Sequence, residues 1–233
     1  MRIQTALPII AIALFGCKGG GGSEYVPKPV EKITPASVKP GEEASLFPLA
    51  VGNEWTFVVE AAGADLKTQR TMSGEVKLRV VDVQQEGDGK RATIEMLANN
   101  KVNERQVWLV NSKGIFQTGK GAKEIQMYST PQPVAIFPIE VGKTFKWAGL
   151  EGKVQRDYVS KVIGPQEVDT EEKRLSGIAI ESKGNNKAGT KTEKTEGTIW
   201  LAPGIGIVRY IEMTVGKEAI VRNVLKLKSH TLK

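Results

Sequence analysis

Two short sequence blocks occur twice in this chain, in the same order, and this repeat limits the folds that the chain can adopt. Residues 46–57 read LFPLAVGNEWTF, and residues 136–147 read IFPIEVGKTFKW. Residues 107–116 read VWLVNSKGIF, and residues 199–208 read IWLAPGIGIV. The copies lie 90 and 92 residues apart. Two blocks repeated at nearly one offset predict two related halves.

The predicted halves are residues 46–135 and 136–233, and all four tryptophans of the chain lie in the repeated blocks. Two copies are too few for a solenoid, so we expect two halves of one sheet system or two similar lobes. Aromatic side chains at these positions bury large areas, which favours a structural role in the core. The alternative is that exposed tryptophans bind sugar rings.

Hydrophobic and polar residues alternate through much of the repeated region. Val76, Leu78 and Val80 alternate with Lys77 and Arg79. Side chains two positions apart share one face of a strand, so such a run has one buried and one solvent-facing side. No long apolar stripe of helical period follows residue 17. We therefore predict an all-β fold of antiparallel sheets, either a sandwich or a curved open barrel.

The chain begins with a short apolar segment that ends at its only cysteine, Cys17. Residues 3–15 are too few to cross a bilayer, which needs about 20 apolar residues. The sequence Leu14-Phe15-Gly16-Cys17 resembles the lipobox of bacterial lipoproteins. The resemblance implies signal cleavage between Gly16 and Cys17, and attachment of diacylglycerol and a further acyl chain such as palmitate at Cys17. A plain secretory signal and a buried apolar helix are the alternatives.

These features predict three parts: a signal peptide at 1–16, a lipidated cysteine with a flexible tether at 17–45, and a β domain at 46–233. The tether is expected because a run of four glycines at 19–22 is followed by four spaced prolines. The lipobox resemblance implies a lipid anchor in the cell envelope, with membrane lipid as the partner of the acylated cysteine. Lys18 resembles the residue that follows the cysteine in outer-membrane lipoproteins of Gram-negative cells.

The chain is moderately basic, with 33 Lys and Arg against 26 Asp and Glu. Such a surface can attract anionic lipid headgroups, acidic glycans or nucleic acid. Nucleic acid is not expected as a partner outside the cytoplasm. Four lysines in one polar run are candidate membrane or anion contacts: Lys183, Lys187, Lys191 and Lys194. The alternative is a solvated hairpin loop.

The sequence carries little that predicts catalysis. His230 is the only histidine, and Cys17 is assigned to lipid, so neither a histidine-centred triad nor a histidine and cysteine metal site is expected. We predict no enzymatic activity, no cofactor and no metal. Paired carboxylates for glycoside cleavage stay open, because spacing in sequence does not report spacing in space.

The repeated blocks, with WLAPGIGIVRY at 200–210, also resemble uncharacterised envelope lipoproteins of bacteria. We therefore expect a non-catalytic β domain for binding or structural support, with an apolar ligand or an envelope protein as its partner. One alternative is a carrier or chaperone for lipid or lipoprotein, which uses a concave apolar groove lined by Val76, Val80, Ile211 and Met213. The other alternative is an envelope hydrolase.

Overall fold

The computed structural model describes residues 36–39, 41–65, 69–217 and 219–233, and it is a single 12-stranded antiparallel sheet. The strands are β1 (Glu54–Asp65), β2 (Gln69–Glu86), β3 (Gly89–Ala98), β4 (Lys101–Asn111), β5 (Gly114–Gly121), β6 (Gln126–Ile136), β7 (Thr144–Glu151), β8 (Val154–Asp169), β9 (Arg174–Ala188), β10 (Lys191–Ala202), β11 (Gly206–Val215) and β12 (Ala219–Thr231). The sheet is nearly closed into a barrel, which confirms the predicted antiparallel all-β class.

The strand order is β6-β5-β4-β3-β2-β1-β12-β11-β10-β9-β8-β7. Each run of six consecutive strands is a meander of neighbours, as expected when short turns connect antiparallel strands. The two runs are joined where β1 pairs with β12 along its whole length, from Glu54 opposite Thr231 to Asp65 opposite Ala219. The strands of the predicted halves thus form the two sides of one sheet, while duplication itself stays a prediction.

The two edge strands, β6 and β7, meet through side chains instead of a backbone ladder. The indole N–H of Trp147 lies 3.0 Å from the hydroxyl of Thr130, and the backbone N–H of Leu150 donates to the hydroxyl of Ser129 at 2.9 Å. Pro131 has no N–H to donate, and proline is tolerated at such an edge position. These contacts bring the edges together and leave the barrel incompletely closed.

One end of the barrel is filled by the chain that precedes β1, and we call it the closed end. The segment includes a short 3-10 helix, Glu43–Leu46. The ring of Phe47 lies 5.6 Å from that of Trp55 and 4.8 Å from that of Trp108, measured between centroids. The indole N–H of Trp55 donates to the carbonyl of Ile205 at 2.6 Å. An aromatic cluster therefore plugs this end of the barrel.

The packed part of the chain extends into the predicted tether. The backbone N–H of Ala36 donates to the hydroxyl of Ser176 at 2.7 Å, and Ala36 is buried. Packing thus begins at or before Ala36, ahead of the expected boundary at residue 46. Residues 1–35, which include the predicted signal peptide, Cys17 and most of the predicted tether, lie outside the described residues.

The first repeated block makes the same backbone turn in both copies. The N–H of Gly52 donates to the carbonyl of Val80 at 2.9 Å, and the N–H of Gly142 donates to that of Val162 at 2.8 Å. Both glycines have a positive φ, +88° and +85°, which side-chain-bearing residues adopt at a cost. The matching sequence therefore produces matching entries into β1 and β7.

In the second repeated block, the tryptophan side chain points to a different face of the sheet in each copy. Trp108 is buried against Phe47, whereas Trp200 is half-buried, lies 5.6 Å from the Arg209 guanidinium and donates to Gln166 at 3.0 Å. The register irregularity falls just before Trp108 in β4 and just after Trp200 in β10. A one-residue change of register turns a side chain to the other face of a sheet.

We predict that Asn53→Ala lowers the free energy of unfolding by about 1–3 kcal/mol, because buried polar groups lose their partners. The fully buried Asn53 amide donates to the carbonyl of Pro48 at 3.0 Å and accepts from the backbone N–H of Lys233 at 2.9 Å. Lys143 is the matching residue of the other copy, and its half-buried side chain donates from the ammonium to the carbonyl of Pro138 at 3.2 Å.

The control is Lys143→Ala, which we expect to change the free energy of unfolding by less than about 0.5 kcal/mol. Urea unfolding of both variants measures the difference. Equal losses in the two variants would show that burial of Asn53 does not hold the closed end together.

Candidate functional site

A cavity of about 440 Å³ lies inside the barrel, beyond the aromatic plug. Its volume falls within the range of roughly 300–1,000 Å³ that is usual for small-molecule sites. Residues of both halves line it, because the strands of both halves form its wall. The cavity is therefore a product of the joined sheet and of neither half alone.

The part of the cavity nearest the plug is apolar. Its wall includes Phe57, Leu78, Met96, Ile207 and Leu225, which come from β1, β2, β3, β11 and β12. These strands are neighbours around the β1–β12 junction, so alternate side chains from each converge on one patch. This patch, which we call the apolar floor, suits a hydrocarbon chain.

Polar residues line another part of the wall, and they include Arg156 of β8. One terminal nitrogen of Arg156 lies 2.9 Å from the carboxylate of Glu151, and the other lies 3.4 Å from the hydroxyl of Tyr158. The same carboxylate lies 3.0 Å from the ammonium of Lys120. The Tyr158 hydroxyl donates in turn to Asn186 at 2.7 Å. Two cations therefore share one carboxylate. We call these residues, together with Tyr128, Tyr210 and Glu212, the polar layer.

Arg156 is 9% exposed, and neither its Nε nor the Oε2 of the neighbouring Glu151 has a hydrogen-bond partner among the described residues. The carboxylates that line the cavity each have a donor: the Tyr210 hydroxyl donates to Glu212, and the Gln106 amide donates to Glu104 at 2.8 Å. A buried N–H without an acceptor is costly, and a ligand oxygen would remove that cost. The polar layer can therefore receive the head of an amphiphilic ligand.

Three tyrosines belong to this region: Tyr128 and Tyr158 are buried, and Tyr210 is half-buried at the cavity wall. Burial raises the pKa of Tyr128 and of Tyr158, because the charged phenolate loses its hydration. Burial raises the pKa of Tyr210 as well, and the neighbouring Glu212 carboxylate adds to the effect. The ring of Trp147 stacks on Tyr158 at 5.8 Å between centroids and lies 6.1 Å from that of Tyr128. These phenols are neutral hydrogen-bonding groups at physiological pH.

The groove expected from sequence does not form from the four residues that were assigned to it. Val76 and Val80 are buried in the core of the barrel. Tyr210 and Glu212 line the cavity, and neighbouring residues of a strand face opposite sides. Ile211 and Met213, half-buried on the same strand β11, therefore lie on the outer face.

The four candidate lysines lie on the hairpin of β9 and β10, and all four are exposed. Lys183 lies opposite Glu196, with 3.9 Å between their charged atoms, whereas Lys191 lies opposite Ala188 at the turn. This hairpin is at the end of the barrel opposite the aromatic plug. Their role in membrane or anion contact stays a prediction.

The described residues contain no group of three or more His, Cys, Asp and Glu side chains that could hold a metal ion. His230 is exposed on β12, opposite Trp55 in the strand register. Within the described ranges, no helix is long and apolar enough to cross a membrane.

Comparison with known proteins finds three similar solved structures. A Bacteroides fragilis protein described as exported, with a YmcC-like fold, is 14% identical, with a TM-score of 0.49 over 78% of this chain and 98% of that one. A Parabacteroides distasonis protein described as a lipoprotein gives 14% identity and a TM-score of 0.48 over the same shares. The hypothetical lipoprotein YmcC of Escherichia coli gives 9% identity and a TM-score of 0.32 over 75% and 86%.

No protein-family model matches the chain, and no curated protein matches it. The three identities are below 25% and the TM-scores are below 0.5, which is too low for these likenesses to indicate a function.

We predict that most tyrosine ionisation is delayed to well above pH 10 in the folded protein. The unfolded chain should ionise all four tyrosines near pH 10, whereas Tyr128, Tyr158 and Tyr210 stay protonated in the folded chain. Because the folded-state pKa values are raised, their contribution to stability is present below pH 10 and is lost as the pH rises above it.

Absorbance titration of the phenolate band measures this difference, with the urea-unfolded protein as the control. At the midpoint pH of the unfolded protein, the folded protein should show at most about a quarter of the absorbance change. Overlapping titration curves would mean that the polar layer is open to bulk water.

Proposed function

We propose that this chain is a lipid-anchored protein of the cell envelope whose β domain binds a single-chain amphiphile inside the barrel and catalyses no reaction. The observation that supports the proposal is the cavity, which has an apolar floor at one end and a buried, incompletely satisfied cation at the other. This arrangement favours the carrier or chaperone for lipid over a purely structural role. A barrel built only for support would gain stability from a filled core.

The size and chemistry of the cavity limit the ligand. A volume of about 440 Å³ is at the small end of the usual range, which favours one acyl chain over the two chains of a diacylated lipid. Burial of a hydrocarbon chain on the floor contributes about 0.8 kcal/mol for each methylene group. Arg156 and the phenols of the polar layer would then hydrogen-bond the head, which sets the direction of the ligand.

The contacts of the carboxylates in the polar layer favour a non-catalytic role. Glu151 lies between Lys120 and Arg156, and Glu212 accepts the Tyr210 hydroxyl. Both carboxylates already have protein partners, which favours a structural role for them over proton transfer to or from a substrate. This polar layer is better suited to holding a head group than to hydrolysing it.

We predict that Ile199→Trp weakens binding of a fluorescent fatty acid at least about tenfold, because the larger side chain occupies the cavity. Ile199 lines the cavity, and Ile211 on the neighbouring strand lies on the outer face. Both residues are half-buried, so Ile211→Trp is the matched control and should leave binding unchanged. Fluorescence titration measures the dissociation constants. Equal binding by both variants would place the ligand outside the barrel.

We predict that Cys17→Ser moves the protein from the membrane fraction to the soluble fraction when the membranes are washed with high salt, and that it abolishes incorporation of labelled palmitate. The physical reason is that two or more acyl chains anchor a protein firmly, whereas the polar body has no comparable affinity for the bilayer core. Cell fractionation and metabolic labelling measure the two effects. The lipid anchor would be overturned if the variant fractionates like the unsubstituted protein and the unsubstituted protein incorporates no label.

A further inference from the structure

Hairpin turns form the end of the barrel opposite the aromatic plug, and we call it the open end. Five described hairpins meet here: β3–β4, β5–β6, β7–β8, β9–β10 and β11–β12. Each presents an exposed lysine at or beside its turn. These rim lysines are Lys101, Lys123, Lys153, Lys191 and Lys217. Because they belong to five different hairpins, the positive charge surrounds the mouth of the barrel.

The five rim lysines outnumber the carboxylates of the same five turns, which are Glu124 and Glu218. None of the five has an ion pair with any carboxylate in the described part of the chain. At the closed end, by contrast, the Arg174 guanidinium lies 2.8 Å from Asp169, and the Lys143 ammonium lies 3.9 Å from Glu140. The open end therefore has a positive potential that attracts an anionic surface.

Exposed apolar side chains lie beside the rim lysines. Among the described residues, nine large hydrophobic side chains are exposed, and five of them belong to the open-end hairpins. These five are Val102, Ile125, Met127, Leu150 and Ile220, with exposures between 37% and 53%. Side chains of this kind next to lysines are typical of surfaces that lie at a membrane interface, where the apolar groups enter the acyl boundary and the cations contact headgroups.

We propose that the open end docks on an anionic lipid bilayer, so that the mouth of the cavity faces the membrane surface. The cavity reaches this end of the barrel at Asn103 and Ala122. An acidic polysaccharide would also be attracted by lysines, but it would gain nothing from five exposed apolar side chains. The combination of excess positive charge and apolar surface therefore favours lipid.

The position of the predicted anchor is compatible with this orientation. The described chain begins at the closed end with Ala36, and the 19 residues from there back to Cys17 can span up to about 65 Å when extended. The length of β1 is about 40 Å at 3.3 Å per residue. The connection is therefore long enough for the barrel to turn its open end to the same membrane that holds the anchor.

The test uses residues 17–233 with Cys17→Ser, which is the predicted mature chain without its lipid. The protein is sedimented with vesicles of phosphatidylcholine alone, or with vesicles that also contain about 30% phosphatidylglycerol as the anionic lipid. We expect binding to the anionic vesicles that is at least about tenfold stronger than to the neutral ones. Added salt should weaken it, because charge screening shortens the range of the attraction.

Three variants separate the contributions. The rim variant replaces all five rim lysines by glutamine, and it should lose at least about tenfold in binding. The control variant makes the same charge change at five exposed lysines away from the rim, Lys90, Lys113, Lys146, Lys161 and Lys173, and it should bind like the parent. The third variant, Ile125→Ser with Met127→Ser, keeps the charge and should also bind more weakly.

Two outcomes would overturn the docking surface. Equal losses in the rim and control variants would show that only net charge matters. The second outcome is that the protein binds a soluble acidic polysaccharide and not anionic vesicles, and that the serine variant binds the polysaccharide equally well. This result would assign the rim to a polyanion. Circular dichroism of each variant checks that the sheet is intact, and neither outcome depends on the ligand proposed for the cavity.

Discussion

Pairing of the first strand with the last is the constraint on which the rest of this structure depends. It joins two six-stranded meanders into one sheet, from Glu54 opposite Thr231 to Asp65 opposite Ala219. The apolar floor is built around this junction, since Phe57 and Leu225 lie on the paired strands and both line the cavity. Because the partners are far apart in sequence, their pairing has a high entropic cost that the buried core must offset. A chain that lost this pairing would keep two meanders and lose the cavity.

The side chains of the barrel change from apolar to polar and then to charged along its axis. The aromatic plug around Phe47 closes one end, the apolar floor follows, the polar layer around Arg156 comes next, and the rim of lysines surrounds the mouth. Each layer has a different dielectric environment, so a ligand with one apolar and one polar end can lie in only one direction. The gradient connects the cavity with the surface through which a lipid would enter.

Much of the fold could be predicted from local patterns, because alternation over Val76 to Val80 and the repeated glycines at 52 and 142 act through neighbouring residues. Which face of a strand is buried could not be predicted so well. Ile211 and Met213 have the correct period, yet they lie outside, because the partner strands decide which side faces the interior. Arg156 lies in a polar run, Gln155-Arg156-Asp157, and nothing local distinguishes it from a solvent-facing residue. Its burial depends on the closure of the sheet, which is a long-range property.

The most direct measurement is the position of a bound chain inside the barrel. Intermolecular nuclear Overhauser effects from a fatty acid labelled with ¹³C at its terminal methyl group would report the nearest protein methyl groups. A chain bound inside the barrel should show contacts with Met96, Ile207 and Leu225 of the apolar floor. Contacts with Ile211 and Met213 on the outer face, and none with the floor, would contradict it.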